Sequence, residues 1–171
     1  MHFNLQPTLE NDLLILQPLK EEDFETLYAV ASDPLIWEQH PDKTRCQREG
    51  FNTFFKLAME TKGAFLVKDK KTNEVIGSTR FFPVKGIDNA IEIGWTFLAR
   101  KYWGGEYNSS MKNLLMNYAF GFVDNIVFYI HEQNMRSRKA VEKMGGKLSE
   151  QIDGLPLEPR QPSVSYKIVK K

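Results

Sequence analysis

The chain is poor in the features that announce a function directly. It has one cysteine, Cys46, so no internal disulfide framework can staple it, and that usage fits a reducing compartment. Its 3 histidines are scattered without zinc-ligand spacing, and no metal is expected. Charge of one sign is missing as well. With 23 Lys and Arg against 22 Asp and Glu, the net charge of +1 supplies no broad field for nucleic acid or membrane, so any anion recognition must be local. No apolar run approaches the ~18 residues of a membrane span, and no charged-then-apolar signal pattern opens the chain, so the expected location is cytoplasmic. Neither G-x-G-x-x-G nor Gly-Lys-Ser/Thr occurs, which disfavours dinucleotide and nucleoside triphosphate chemistry. Internal repeats and low-complexity segments are absent. What is present is 171 residues, 42% hydrophobic and 26% charged, enough for one globular domain over residues 1–171 with a real core.

Periodicity places the elements. Leu13 to Leu16 reads as a first strand, and Phe24, Leu27, Tyr28 and Ala31 give a helical stripe stopped by Pro34. Leu35 to Lys43 has no period. Its Trp37 reads as a core plug ahead of a binding wall, since large aromatics bury for packing alone. Thr44 and Gln47 have capping-box spacing before a second stripe of Phe51, Phe54, Phe55 and Ala58. Cys46 falls in the first turn of that helix and reads as an ordinary thiol. A hairpin of Ala64 to Lys68 and Val75 to Phe82 follows, then a strand from Asn89 to Phe97. Strict alternation in that strand puts Ile91, Ile93, Trp95 and Phe97 on one face, with Ala90, Glu92, Gly94 and Thr96 on the other. Gly94 marks a bulge or a close approach beside Glu92, although a solvent-facing glutamate is the ordinary alternative.

Two clusters carry the chemistry. Arg100 to Asn108 contains Gly104-Gly105 at the start of a helix whose stripe is Tyr107, Met111, Leu114, Leu115, Tyr118 and Phe122. Adjacent glycines allow close backbone approach, and a helix start offers unpaired N–H groups and a positive dipole end, which suits a phosphate. The second cluster, Asn134 to Gly145, follows the apolar run Ile126 to Ile130. Asn134 is positioned to cap a short helix ended by Gly145-Gly146, before strands at Lys147 to Ile152 and Val164 to Val169. The loop between those strands carries Pro156, Pro159 and Pro162 and is long enough to cover a site. The resulting order, β-α-α-β-β-β-α-β-α-β-β, is a mixed α/β layer fold.

This order, with Ile91-Glu92-Ile93-Gly94-Trp95, Trp103-Gly104-Gly105-Glu106-Tyr107 and Asn134 to Gly145, resembles the GCN5-related N-acetyltransferase (GNAT) superfamily, in particular its RimJ/RimL-like branch. The resemblance implies an α/β (α+β) fold with a mostly antiparallel central sheet of about six to seven strands and about four helices, splayed between the fourth and fifth strands. It implies acetyl-CoA as co-substrate, held in the splay with its pyrophosphate on the amides from Trp103 to Asn108. Aligning Gly104 with the first glycine of the family's turn puts Lys101 at its basic position and Glu106 at a small one. The acid is a departure that costs Coulomb energy unless its side chain turns outward or pairs with Arg100 or Lys101, and it predicts reduced phosphate affinity. Asn134 matches a residue that contacts the pantetheine arm or holds the strand end, and Ser137 a small residue facing the cofactor. Val141 stands where many members carry a tyrosine that protonates the departing thiolate.

Transfer from a thioester to an amine needs a neutral amine, an oxyanion donor and held geometry, with no protein nucleophile. A terminal α-amine, near ~8, asks less of a base than a lysine near ~10.4. Glu92 is the candidate base, directly or through a water. By resemblance the oxyanion donor is a backbone N–H near Phe97 or Leu98. His131 and Tyr129 are weaker candidates for proton transfer, with local bonding and packing as their ordinary alternatives. Arg136, Arg138 and Lys139 are equally readable as phosphate contacts or a solvated basic face. Trp37, Glu38 and His40 lie in the segment that lines the acceptor site in the superfamily. The expected function is an N-acetyltransferase for a primary amine; the alternative is a non-catalytic acyl-CoA-binding module. No nucleic-acid partner is expected, and a homodimer is compatible with the chain.

Overall fold

Alternating strands sort their side chains onto two faces of one sheet. Ala64 and Leu66 enter one apolar cluster, while Phe65 and Val67 enter the other. The structure, a computed structural model, describes residues 3–153 and 162–171, so Pro156 and Pro159 of the proline-bearing loop lie outside the described residues. The elements are β1 (Leu9–Glu10), β2 (Leu14–Pro18), α1 (Phe24–Ala31), α2 (Arg48–Thr61), β3 (Ala64–Asp69), β4 (Val75–Pro83), β5 (Ala90–Leu98), α3 (Tyr107–Ala119), β6 (Asn125–His131), α4 (Met135–Lys143), β7 (Lys147–Asp153) and β8 (Pro162–Val169). They form an 8-stranded sheet in the order β1-β2-β3-β4-β5-β6-β8-β7. Only the β5–β6 pairing among the described strands is parallel.

The expected mixed, mostly antiparallel fold is therefore present, with one addition. The two-residue β1 pairs Leu9 with Leu16 and raises the strand count, being too short for an alternation signal. The fourth and fifth strands of the sequence reading are thus β5 and β6. The expected capping box is not formed. Thr44 instead lies in a 3-10 turn, Lys43–Cys46, capped by Asp42, whose carboxylate accepts from the Thr44 N–H at 3.1 Å and its hydroxyl at 2.6 Å. The aspartate two residues upstream outcompetes the reciprocal box, and Gln47 begins α2 without a side-chain cap. Cys46 sits in this turn, its thiol donating to the Lys43 carbonyl at 3.2 Å.

α1 and α2 cover one face with Leu27, Ala31, Phe51, Phe54, Phe55 and Ala58. α3 covers the other with Met111, Leu115, Met116 and Ala119, joined by Val141 of α4. Among the described residues no helix is long and apolar enough to cross a membrane. Leu115 is fully buried against the sheet. Leu115→Ala is expected to cost about 2–5 kcal/mol of folding stability, read as a lowered urea midpoint with unchanged slope; a loss within about 0.5 kcal/mol would show that α3 does not seat on this core.

Candidate active site

The site begins with a bulge in β5. Arg80 pairs with Gly94 and Ser78 with Phe97, so Thr79 alone faces both Trp95 and Thr96. Trp95 adopts φ 49°, a strained value for a bulky residue. The inserted residue breaks the alternation read from sequence. Ile91 and Ile93 enter the α3 cluster, as does Leu98, while Phe97 turns to the α1–α2 cluster. The bulge also marks where β5 leaves β6. Their ladder consists of Ala90↔Asn125, Ile91↔Ile126 and Glu92↔Val127, after which the strands run on to Leu98 and His131 unpaired with each other. That is the predicted splay. Ala99 N–H donates to Ile76 across β4 at 2.7 Å, so strand alternation turns the backbone of Leu98, and not of Phe97, toward the gap.

Below the gap lies the glycine turn. After a 3-10 turn at Arg100–Tyr102, the Trp103 indole donates to the Leu98 carbonyl at 2.8 Å and fixes the turn to the end of β5. Gly104 has φ +73°, and a Cβ at Gly104 or Gly105 would meet nothing within 4 Å, so this backbone presents open surface. α3 starts with Glu106 as its N-cap and no side-chain cap, leaving the first-turn N–H groups, including those of Tyr107 and Asn108, without intrahelical acceptors. Side chains of the turn reach away. Lys101 Nζ donates to the Glu74 carboxylate at 2.8 and 2.7 Å, and Arg100 pairs with Asp33. The Tyr107 hydroxyl donates to Asp69, an interaction that pushes the phenol up to about 12 and holds the carboxyl below its usual range. Glu106 pairs with neither predicted base and its side chain is exposed.

The second cluster meets the first. Asn134 is buried and caps α4, its Oδ1 accepting from Ser137 N–H at 3.2 Å, while its own N–H holds the β6 end at the His131 carbonyl. One residue into α4, the Arg136 guanidinium stacks 3.9 Å over the Trp103 ring and donates to the Ile36 carbonyl at 3.0 Å. Arg138 is engaged by Tyr166 and the Glu132 carbonyl, so neither arginine projects freely as a solvated face would. Trp37 is the plug expected of it: 3% exposed, its indole donates to the Ala31 carbonyl and its ring packs on Phe97 at 5.1 Å. His40 stands edge-on to Trp37 and accepts from Asp42 N–H at 3.0 Å. Tyr129 and His131 are half-buried on the β6 face that carries Val127, opposite Ser165 and Ser163 of β8.

Glu92 is 3% exposed, so the solvent-facing alternative is wrong. Its register partner Val127 puts it on the same sheet face as Tyr129 and His131. Its Oε1 would stand 2.8 Å from a Cβ at Gly94, so the glycine is what gives the carboxylate its room. Of the three buried cations among the described residues, Arg45, Arg80 and Lys112, two contact β5 and neither reads as buried in the sequence. Arg80, 1% exposed, stacks 4.6 Å from the Trp95 ring centroid. Lys112 of α3, 5% exposed, donates from Nζ to Thr96 Oγ1 at 2.5 Å and lies 5.4 Å from the Phe128 ring. Burial pulls Lys112 down to about 7, against the opposing pull of Glu92. A lysine bordering an apolar stripe reads as a solvated helix position, so only the polar break after Met111 marked it.

The Acetyltransferase (GNAT) domain family matches residues 14–147 of the chain. The chain belongs to that GNAT acetyltransferase family. Solved structures give the same fold. A GCN5-related N-acetyltransferase from Brucella melitensis aligns with TM-score 0.79 at 17% identity, over 96% of this chain and 79% of that one. A GNAT-family acetyltransferase from Bacillus anthracis gives 0.73 at 19%, covering 95% and 98%. The ribosomal-protein-S5-alanine acetyltransferase of Vibrio fischeri gives 0.69 at 16%, covering 96% and 97%. No curated protein matches the chain. Within this GNAT fold no cluster of His, Cys, Asp and Glu among the described residues is arranged for a metal.

Lys112 gives this GNAT chain a pH signature. Its pKa is lower folded, about 7, than unfolded, about 10.4, so the unfolded state binds more protons between those values. Stability contributed by this site is therefore expected to rise with pH across that window, by up to about 1.36 kcal/mol per unit. Urea midpoints of wild type and Lys112→Met between pH 7 and 10 should diverge in that sense; parallel curves would contradict a buried, weakly basic Lys112.

Proposed function

We propose that the chain is an acetyl-CoA-dependent N-acetyltransferase of the RimJ/RimL-like kind, moving acetyl to a primary amine by direct transfer without a covalent enzyme intermediate. The acceptor is a protein N-terminal α-amine or a small-molecule amine; likeness to the Vibrio fischeri ribosomal-protein acetyltransferase supports the former. One observation carries the reading. The gap between β5 and β6 opens directly above a glycine turn whose backbone is exposed and whose helix start has N–H groups to give.

The residues present fit acetyl-CoA. Amides from Trp103 to Asn108 would hold its pyrophosphate, with Gly104 and Gly105 allowing close approach. Because backbone donors are indifferent to side chains, the engagement of Lys101 by Glu74 and the outward Glu106 leave that role intact. Asn134 keeps the β6 end and the α4 start in register, and Ser137 stands one turn into α4. Bound acetyl-CoA supplies an activated acyl carbon. The Leu98 N–H, turned into the gap, is the donor for charge developing on the acyl oxygen. Phe97 instead packs against Trp37 and seats the acceptor segment. Glu92, buried beside Gly94, takes the proton from the attacking amine. His40, Tyr129 and His131 are assigned to the acceptor side.

Glu92→Gln keeps shape and removes the base. Thiol release from acetyl-CoA with a panel of primary amines is expected to fall about 100-fold or more in kcat, with CoA affinity unchanged by calorimetry. A wild-type rate in this variant would remove Glu92 from the chemistry. A wild-type chain that binds acetyl-CoA and acetylates none of the panel would favour a binding module.

A further inference from the structure

The splay holds one group that the reaction described above does not use. The Lys112 ammonium reaches it from below, hydrogen-bonded to β5 at Thr96 and resting 5.4 Å from the ring of Phe128 on β6. These contacts lie beyond the last β5–β6 register pair, where the strands have parted. Thr96 is one of the two bulge residues, with Trp95, and its hydroxyl is 2.8 Å from that of Thr79, so Lys112 ends a short polar chain. Leu or Met would fill that place at less electrostatic cost. An ammonium has three donors, and Thr96 takes one.

We propose that Lys112, held on the Thr96 hydroxyl, is the proton donor to the CoA thiolate, an assignment that rests on the acyl-transfer reading above. The amine nitrogen forms a bond to the acyl carbon, and the C–S bond breaks with its electron pair on sulfur. The amine's surplus proton passes to Glu92, and sulfur takes a proton from Lys112 Nζ. Transfer from the Glu92 carboxyl to the neutral lysine restores the resting state, so the turnover consumes no proton. Val141, the buried α4 residue of the core cluster that holds Phe128, has no proton to give. Lys112 faces Glu92 and Thr96 of β5 and Phe128 of β6, with Asn108, Ser109, Leu115 and Met116 beside it on α3; of these Glu92 is the one ionisable side chain. An ammonium weakened by burial to about 7 is matched to donate at neutral pH.

The test is the pH profile of CoA release from acetyl-CoA with a hydrazide acceptor, which stays neutral over the range. Wild type should lose rate on the alkaline side as Lys112 deprotonates. Lys112→Met should lower kcat about 100-fold near neutrality and abolish that alkaline limb, with CoA affinity retained. A Lys112→Met protein with the wild-type rate and profile overturns the assignment alone. Absence of thiol release from the wild-type chain overturns the acyl-transfer reading and the assignment with it. If Lys112→Met does not fold, Thr96→Val keeps the lysine and removes its acceptor. Its alkaline limb should then move to lower pH, and an unmoved limb overturns the proposal.

Discussion

Everything in this molecule that bears on chemistry depends on two strands that pair for three residues and then part. β5 and β6 are parallel neighbours in a buried sheet, and parallel strands normally stay hydrogen-bonded for their length. Here an extra residue in β5, with Trp95 forced to φ 49°, redirects the strand after Glu92. The strain is held by packing on the α1–α2 side: Arg80 lies against the Trp95 and Phe54 rings, and Phe97 locks into the Trp37 and Phe54 cluster. Parting the strands frees the Leu98 backbone edge and opens a path into the layer.

The charges around that path are arranged locally because the chain has almost no net charge to spend on steering. Around the glycine turn, Arg100, Lys101 and Tyr107 are tied to Asp33, Glu74 and Asp69. The two ion pairs, Arg100–Asp33 and Lys101–Glu74, lie at the surface and contribute little stability individually. Their effect is geometric: Asp69 and Glu74 anchor the turn to the β3–β4 hairpin, Asp33 anchors it to the segment after α1, and its amides are left outward. Inside the gap the balance reverses. Glu92 and Lys112 approach it from opposite faces of the sheet in a buried setting, where their attraction is less screened and a proton moved between them is worth more than at the surface. Arg136, stacked on Trp103 and bonded to Ile36, ties this chemistry to the segment that would select the acceptor.

Much of this was legible in the sequence, and the exceptions have physical causes. Strands and helices with clean periods fell where expected, and Gly94 correctly flagged both the bulge and the space beside Glu92. Alternation failed past Gly94 because an inserted residue reverses the faces, so Phe97 was placed with Ile93 when they lie on opposite sides. Lys112 and Arg80 escaped because composition reads a lone cation as solvated, and only three-dimensional packing reveals that Thr96, Phe128 and Trp95 enclose them. The Thr44 capping box failed because Asp42, a stronger local acceptor, was near enough to take the same N–H.

The central claim is that the parted strands and the glycine turn form one acyl-CoA site. The most direct measurement is a crystal structure of the chain with CoA. The pantetheine arm should lie between β5 and β6, with pyrophosphate oxygens within hydrogen-bonding distance of amides from Trp103 to Asn108. CoA bound elsewhere, or with its pyrophosphate held by side chains while these amides face solvent, would contradict it.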